Sequence, residues 1–253
     1  MGHRHEIVTI DGVAGELSGT LQIPDGEPRG AVLLAHCFTC SRSLKTTRSF
    51  STGIEDGGFA VLRFDFTGLG ESEGDFAETS VTTNIADLEA AADYLGGRGF
   101  GPCVMVGHSL GGAATILAAA NVPAVRAVVA VAAPYGLEHV RHLFSEADLD
   151  RISATGQAKV DIAGRSFEIS RSFFEDLERH SMANNLAELG RPLLVVHGTT
   201  DVVVNISEGE RIFAEARQPK WFTAIPGADH LFMLPESADR ATAAIRTFLD
   251  VVV

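Results

Sequence analysis

The chain has 253 residues, 45% hydrophobic and 21% charged, which is the usage of a soluble globular protein and excludes a disordered or fibrous one. Lys and Arg number 20 against 33 Asp and Glu, and this net charge of -13 without a basic cluster argues against a nucleic-acid partner. No stretch approaches the ~20 consecutive apolar residues of a membrane span. Met1 to Glu6 lack the apolar segment of a secretory leader, and three cysteines are too few and too uneven for a disulfide framework, so the expectation is a cytoplasmic chain in a reducing compartment.

Ile7 and Ile10, a turn at Asp11-Gly12, and Leu17, Leu21 and Ile23 read as an antiparallel hairpin. From Gly30 onward short continuous apolar runs take over: Ala31 to Ala35, Ala60 to Phe64, Cys103 to Val106, Val125 to Ala133 and Leu193 to Val196. Such runs suit strands covered on both faces. Between them, Ser80 to Leu95 and Ser109 to Asn121 have helical spacing, and Glu236 to Leu249 reads as a closing helix. Strand and helix in alternation predict a mostly parallel α/β sheet with helices on both faces.

After Pro134 roughly fifty residues pass before the next buried run, too many for an ordinary connection. We expect a single domain whose core is 1-134 and 188-253, with a cap insertion at about 135-187. Within the cap, Leu137, Val140, Leu143 and Phe144 suggest one helix, Val160-Asp161-Ile162 and Phe167-Glu168-Ile169 a small hairpin, and Phe173, Phe174 and Leu177 another helix.

Ser109 lies in Gly107-His108-Ser109-Leu110-Gly111, after a buried strand and before an alanine-rich helix. A serine at so tight a turn crowds its neighbours two residues away, which glycine relieves, and its hydroxyl stands at the carboxyl edge of the sheet. A hydroxyl needs a base, and the base an orienting carboxylate. Asp201 and His230 follow later strands on loops of the same edge and are preferred over Glu138, Asp229 and the other eight histidines. Backbone amides of Leu110 and of Phe38, in His36-Cys37-Phe38-Thr39-Cys40, are placed to receive an oxyanion. Val203, Leu231 and Phe232 are candidate pocket residues. Cys37 and Cys40 have metal or redox spacing without a second such pair, so their thiols are read as structural, with no metal and no cofactor expected. Gly68-Leu69-Gly70 lacks the third glycine of a nucleotide loop and precedes Glu71, Glu73 and Asp75.

Together, His36 to Cys40, Arg63-Phe64-Asp65-Phe66-Thr67-Gly68-Leu69-Gly70-Glu71-Ser72-Glu73-Gly74, the Ser109 turn, Asp201 and His230 resemble the α/β-hydrolase part of proteins fused to an OsmC-like domain. More distantly they resemble bacterial feruloyl and cinnamoyl esterases. The resemblance implies the α/β-hydrolase fold and a serine hydrolase with the triad Ser109, Asp201 and His230, acting on modest acyl or aryl esters. The sequence runs to Val253 with no OsmC-like segment in it, so peroxide chemistry from such a domain is not expected to come with the resemblance. The same triad would serve an amidase, a thioesterase or an acyltransferase, and a catalytically silent binding protein is the rival of another class. The expected partner is a small ester, with no nucleic acid and no membrane; the Val251-Val252-Val253 tail leaves a homodimer open.

Overall fold

The computed structural model describes residues 4–101 and 103–253, so the first three residues of the segment read for a leader lie outside the described residues. The chain opens with β1 (Arg4–Gly12) and β2 (Gly15–Ile23), an antiparallel hairpin. Val8 and Ile10 are buried while Ile7 is 73% exposed, so the side of β1 that faces the core is set by Val8 and not by Ile7. Then follow β3 (Ala31–Ala35), α1 (Lys45–Glu55), β4 (Ala60–Phe64), α2 (Val81–Gly97), β5 (Cys103–His108), α3 (Leu110–Ala118) and β6 (Val125–Val131). An insertion comes next: a 3-10 segment at Leu137–Leu143, α4 (Glu146–Thr155), β7 (Gln157–Ile162), β8 (Arg165–Ser170), α5 (Arg171–Leu177) and α6 (Met182–Glu188). The sheet resumes with β9 (Leu193–Gly198), α7 (Ile206–Glu215) and β10 (Lys220–Ile225), and α8 (Pro235–Val252) closes the chain.

Among the described residues, eight strands form one sheet in the order β1-β2-β4-β3-β5-β6-β9-β10. β2 runs antiparallel to β1 and β4; the remaining pairs are parallel. The continuous apolar runs are needed because both faces are covered. Leu33, Leu62, Met105 and Val195 face a core completed by Leu88 and Ala92 of α2, Ile116 of α3 and Ile212 of α7. Their neighbours Val32, Val61, Val104 and Val196 face the opposite core, against Phe50 and Ile54 of α1 and Ile245 and Phe248 of α8. Neighbouring residues thus enter different cores, as the two-residue period of a strand requires.

The helices that sequence periodicity did not pick out are the polar ones. α1 reads Lys-Thr-Thr-Arg-Ser-Phe-Ser-Thr-Gly-Ile-Glu, poor in helix formers, and its apolar anchors are Phe50 and Ile54, four residues apart. α4 buries Ile152 alone and is started by a reciprocal cap, Ser145 to the Asp148 amide and Asp148 back to the Ser145 amide. In the insertion, β7 and β8 pair with Val160 opposite Phe167, so Val160, Ile162, Phe167 and Ile169 share the buried side. Asp176 of α5 accepts hydrogen bonds from the Thr82 amide (2.9 Å) and hydroxyl (2.7 Å), tying the insertion to the start of α2. Among the described residues, no helix is long and apolar enough to cross a membrane.

Asp87 of α2 is fully buried and accepts bonds from the Thr67 amide (2.8 Å) and hydroxyl (2.9 Å), fixing the loop that follows β4. Burial pushes its carboxyl up to about 6, with the two Thr67 bonds only partly opposing. A raised acid favours folding fully below its unfolded value near 4, and that contribution is lost as pH rises through about 6. Asp87→Asn keeps an acceptor and a donor for Thr67 and carries no charge. Chemical denaturation of both proteins from pH 4 to pH 8 is therefore expected to show the variant gaining on the parent as pH rises, by up to about 3 kcal/mol above pH 6. An unchanged difference across that range would contradict this.

Candidate active site

β5 delivers the chain to the carboxyl edge of the sheet, and the next residue must reverse direction into α3. Ser109 does so at φ 56° and ψ -126°, a conformation that costs a non-glycine residue roughly 1–3 kcal/mol. Its amide is held by the Val131 carbonyl at 2.8 Å. Two glycines make the turn sterically feasible. A Cβ at Gly107 would fall on the Gly111 carbonyl, and one at Gly111 on the His36 carbonyl oxygen. The second contact brings the start of α3 directly against the loop that follows β3.

Asp201 stands beyond the end of β9. Its Oδ1 accepts the amides of Val203 (2.9 Å) and Val204 (2.8 Å), and its Oδ2 lies 2.8 Å from His230 Nδ1. His230, on the loop between β10 and α8, places Nε2 3.0 Å from Ser109 Oγ. Burial alone would raise the Asp201 carboxyl, but hydrogen bonds from His197, His230 and the Val204 amide outweigh it and hold it well below the ordinary carboxylate range. The ionised Asp201 only accepts, so His230 Nδ1 carries a hydrogen and Nε2 is left to accept from the serine hydroxyl.

Two further histidines brace this chain from beneath. His108 Nε2 donates to the His230 carbonyl at 2.7 Å, and burial pushes its imidazole down to about 3, so it stays neutral. His197 Nε2 donates to the Val204 carbonyl at 2.9 Å and lies 3.5 Å from Asp201 Oδ2. Neither acid rival faces His230: Glu138 is exposed, and Asp229 accepts the Met233 amide.

The loop after β3 is shaped by His36 and Asp65. His36 Nδ1 donates to the Cys37 carbonyl (2.8 Å), and its Nε2 accepts the Phe66 amide (3.2 Å). Asp65 accepts the Arg42 amide at 2.6 Å and pairs with the Arg42 guanidinium, which also reaches Glu71. Here one expectation is corrected. Cys37 and Cys40 are not free thiols but a disulfide, because the tight turn Cys40 N–H to Cys37 O brings their Cα atoms to 5.3 Å, within reach of such a bond. Among the described residues, neither the Phe38 nor the Leu110 amide donates to a protein acceptor.

Phe38, Ser109 and Leu110 line one cleft with Pro134, His139, Val140, Leu143, Val203 and Val204. It encloses about 30 Å³ and is nearly all apolar. Val203 is thus brought to the cleft, but the two residues after His230 are not. Phe232 is buried at 2% exposure against Phe50, because its backbone turns (φ 50°) inward beneath the loop; Leu231 is half-buried and its carbonyl accepts the Thr46 hydroxyl. Phe232 is thus corrected from pocket to scaffold, while Leu231 does not line this cleft. His139, Val140 and Leu143 come from the insertion, where sequence spacing marks Val140 and Leu143 only as one side of a helix; their place at the cleft follows from where the insertion folds back. Among the described residues, no group of three or more His, Cys, Asp or Glu is arranged to hold a metal ion.

A family model described as "Alpha/beta hydrolase family" matches residues 32–245. The esterase domain of a Rhodothermus marinus protein is 35% identical, with a TM-score of 0.78 and 97% of each chain covered. Est1E from Butyrivibrio proteoclasticus, solved with ferulic acid bound, has a TM-score of 0.86 at 21% identity over 97% of this chain and 98% of that one, a likeness in fold. The mitochondrial palmitoyl-protein thioesterase ABHD10 of Mus musculus is 30% identical over 153 residues, 58% of this chain and 50% of the relative. The uncharacterized protein YfhR of Salmonella typhi is 30% identical over 177 residues, 68% and 54% respectively. This chain spans about half the length of these two curated relatives.

The steric requirement at the turn is directly measurable. Gly111→Ala forces a methyl against the backbone carbonyl of His36, and denaturant unfolding is expected to show a loss of about 1–3 kcal/mol. A neutral substitution would mean that the two segments do not approach so closely.

Proposed function

The chain belongs to the alpha/beta hydrolase family, and on that premise we propose that it is a serine hydrolase cleaving small acyl or aryl esters through an acyl-enzyme on Ser109. The observation that carries this reading is the unbroken line from Ser109 Oγ to His230 Nε2 (3.0 Å) and from His230 Nδ1 to Asp201 Oδ2 (2.8 Å), at the end of an apolar cleft. The 35% identity to an esterase domain along the whole chain supports it.

In the first step His230 Nε2 takes the Ser109 proton as Oγ attacks the ester carbonyl. The carbonyl oxygen gains charge and is received by the Phe38 and Leu110 amides, which among the described residues have no protein acceptor to give up. The buried, ionised Asp201 holds the imidazole in orientation and stabilises it while it is charged. His230 then passes the proton to the leaving alcohol oxygen, and the acyl group remains on Ser109. Water, deprotonated by the same imidazole, attacks the acyl-enzyme and releases the acid. At about 30 Å³ the cleft takes an acyl group of about two or three heavy atoms, and a larger acyl or aryl group needs its lining side chains to move. The palmitoyl-thioesterase relative favours a second reading, a thioester substrate cleaved by the same steps.

With p-nitrophenyl butyrate, Ser109→Ala is expected to lose at least about 10⁴ of kcat while keeping its circular dichroism spectrum, and Asp201→Asn to lose roughly 10⁴. Turnover retained by Ser109→Ala would refute the assignment. Parallel assays with a butyryl thioester separate the two readings by their kcat/KM values.

A further inference from the structure

The Phe38 amide is set on the irregular loop between β3 and α1. Its neighbour Thr39 is buried and has φ 58°, a left-handed conformation that a β-branched residue avoids. The Cys37–Cys40 bond and the Cys40 N–H to Cys37 carbonyl turn close this segment from within the loop, and contacts from outside it add a second hold on the strained residue.

The insertion supplies that hold. Arg165, the first residue of β8, donates from Nη1 to the Thr39 carbonyl at 2.9 Å. Its guanidinium rests over the Phe167 ring (5.0 Å), which packs on Phe76 (5.2 Å), which in turn packs on Phe38 (5.6 Å). On its other side the Phe38 ring stacks on Phe173 of α5 at 5.2 Å. Backbone and ring of the loop are both gripped by the insertion, and Arg165 makes the polar contact to the strained residue. We propose that Arg165 is a positioning residue for the reaction, keeping Thr39 left-handed so that the Phe38 amide stays aimed at the developing oxyanion. This rests on the serine-hydrolase reading above. The insertion then completes the oxyanion site as well as walling the cleft.

The test compares the parent with Arg165→Ala, Arg165→Lys and Arg171→Ala. The last removes a guanidinium that bonds the Ser153 carbonyl and pairs with Glu175, both within the insertion. The readouts are kcat and KM for p-nitrophenyl acetate, normalised by active-site titration, the rate of Ser109 labelling by a fluorophosphonate, and Tm. Arg165→Ala is expected to lower kcat about tenfold, a fraction of the loss from deleting an oxyanion donor, with KM within about twofold. Labelling, which also builds a negatively polarised oxygen at this point, slows by a similar factor. Arg165→Lys, able to donate to the same carbonyl, recovers a part, and Arg171→Ala stays near the parent. An Arg165→Ala kcat within twofold of an active parent overturns the proposal alone, as does an equal fall in Arg171→Ala. A parent that neither turns over nor labels overturns the serine-hydrolase reading and this one with it.

Discussion

The left-handed turn at Ser109 is the constraint on which the rest of the site depends. It exists because β5 must end at the sheet edge and α3 must start at once, and because Gly107 and Gly111 leave no side chain in the space where strand, helix and the His36 carbonyl meet. That single geometry lifts the hydroxyl above the edge, presents the Leu110 amide beside it, and draws the loop after β3 close enough for Phe38 to share the cleft. The backbone cost at Ser109 is met by burial on both faces of the sheet, where β5 lies between β3 and β6.

Charge in this buried place is handled by pairing rather than by solvent. Asp201 is kept ionised by two amides and two imidazoles, whereas His108, which is buried and hydrogen-bonded to no acid, is kept neutral and used as a donor to the backbone of His230. The contrast follows from partners, since burial presses on both groups in the direction of neutrality. Below the loop after β3, Asp65 and Arg42 form a second buried pair that fixes the loop's far end.

Much of this was legible in the sequence, for identifiable reasons. Strands covered on both faces show as unbroken apolar runs, and β3 and β4 match Ala31 to Ala35 and Ala60 to Phe64 residue for residue. The order of Ser109, Asp201 and His230, each just past a buried run, was enough to group them, since every such loop opens on the same edge of a parallel sheet. Local patterns did not reveal α1, α4, α6 or α7, helices held by a few anchors or by caps, nor the burial of Phe232, which depends on how the loop after His230 turns. The reach of Arg165 to Thr39 likewise joins segments whose meeting no local pattern encodes, whereas the Cys37–Cys40 bond and the bracing by His197 are local contacts whose outcome depends on how each turn folds.

On the proposed reading a transient ester forms on Ser109 in every turnover. Rapid mixing with p-nitrophenyl butyrate, quenching within the first turnover and mass spectrometry of the peptide carrying Ser109 tests this most directly. One butyryl group on Ser109, appearing with a burst of nitrophenol and decaying at the rate of turnover, is the result expected. Steady hydrolysis with Ser109 unmodified throughout, or an acyl group on another residue, would contradict it.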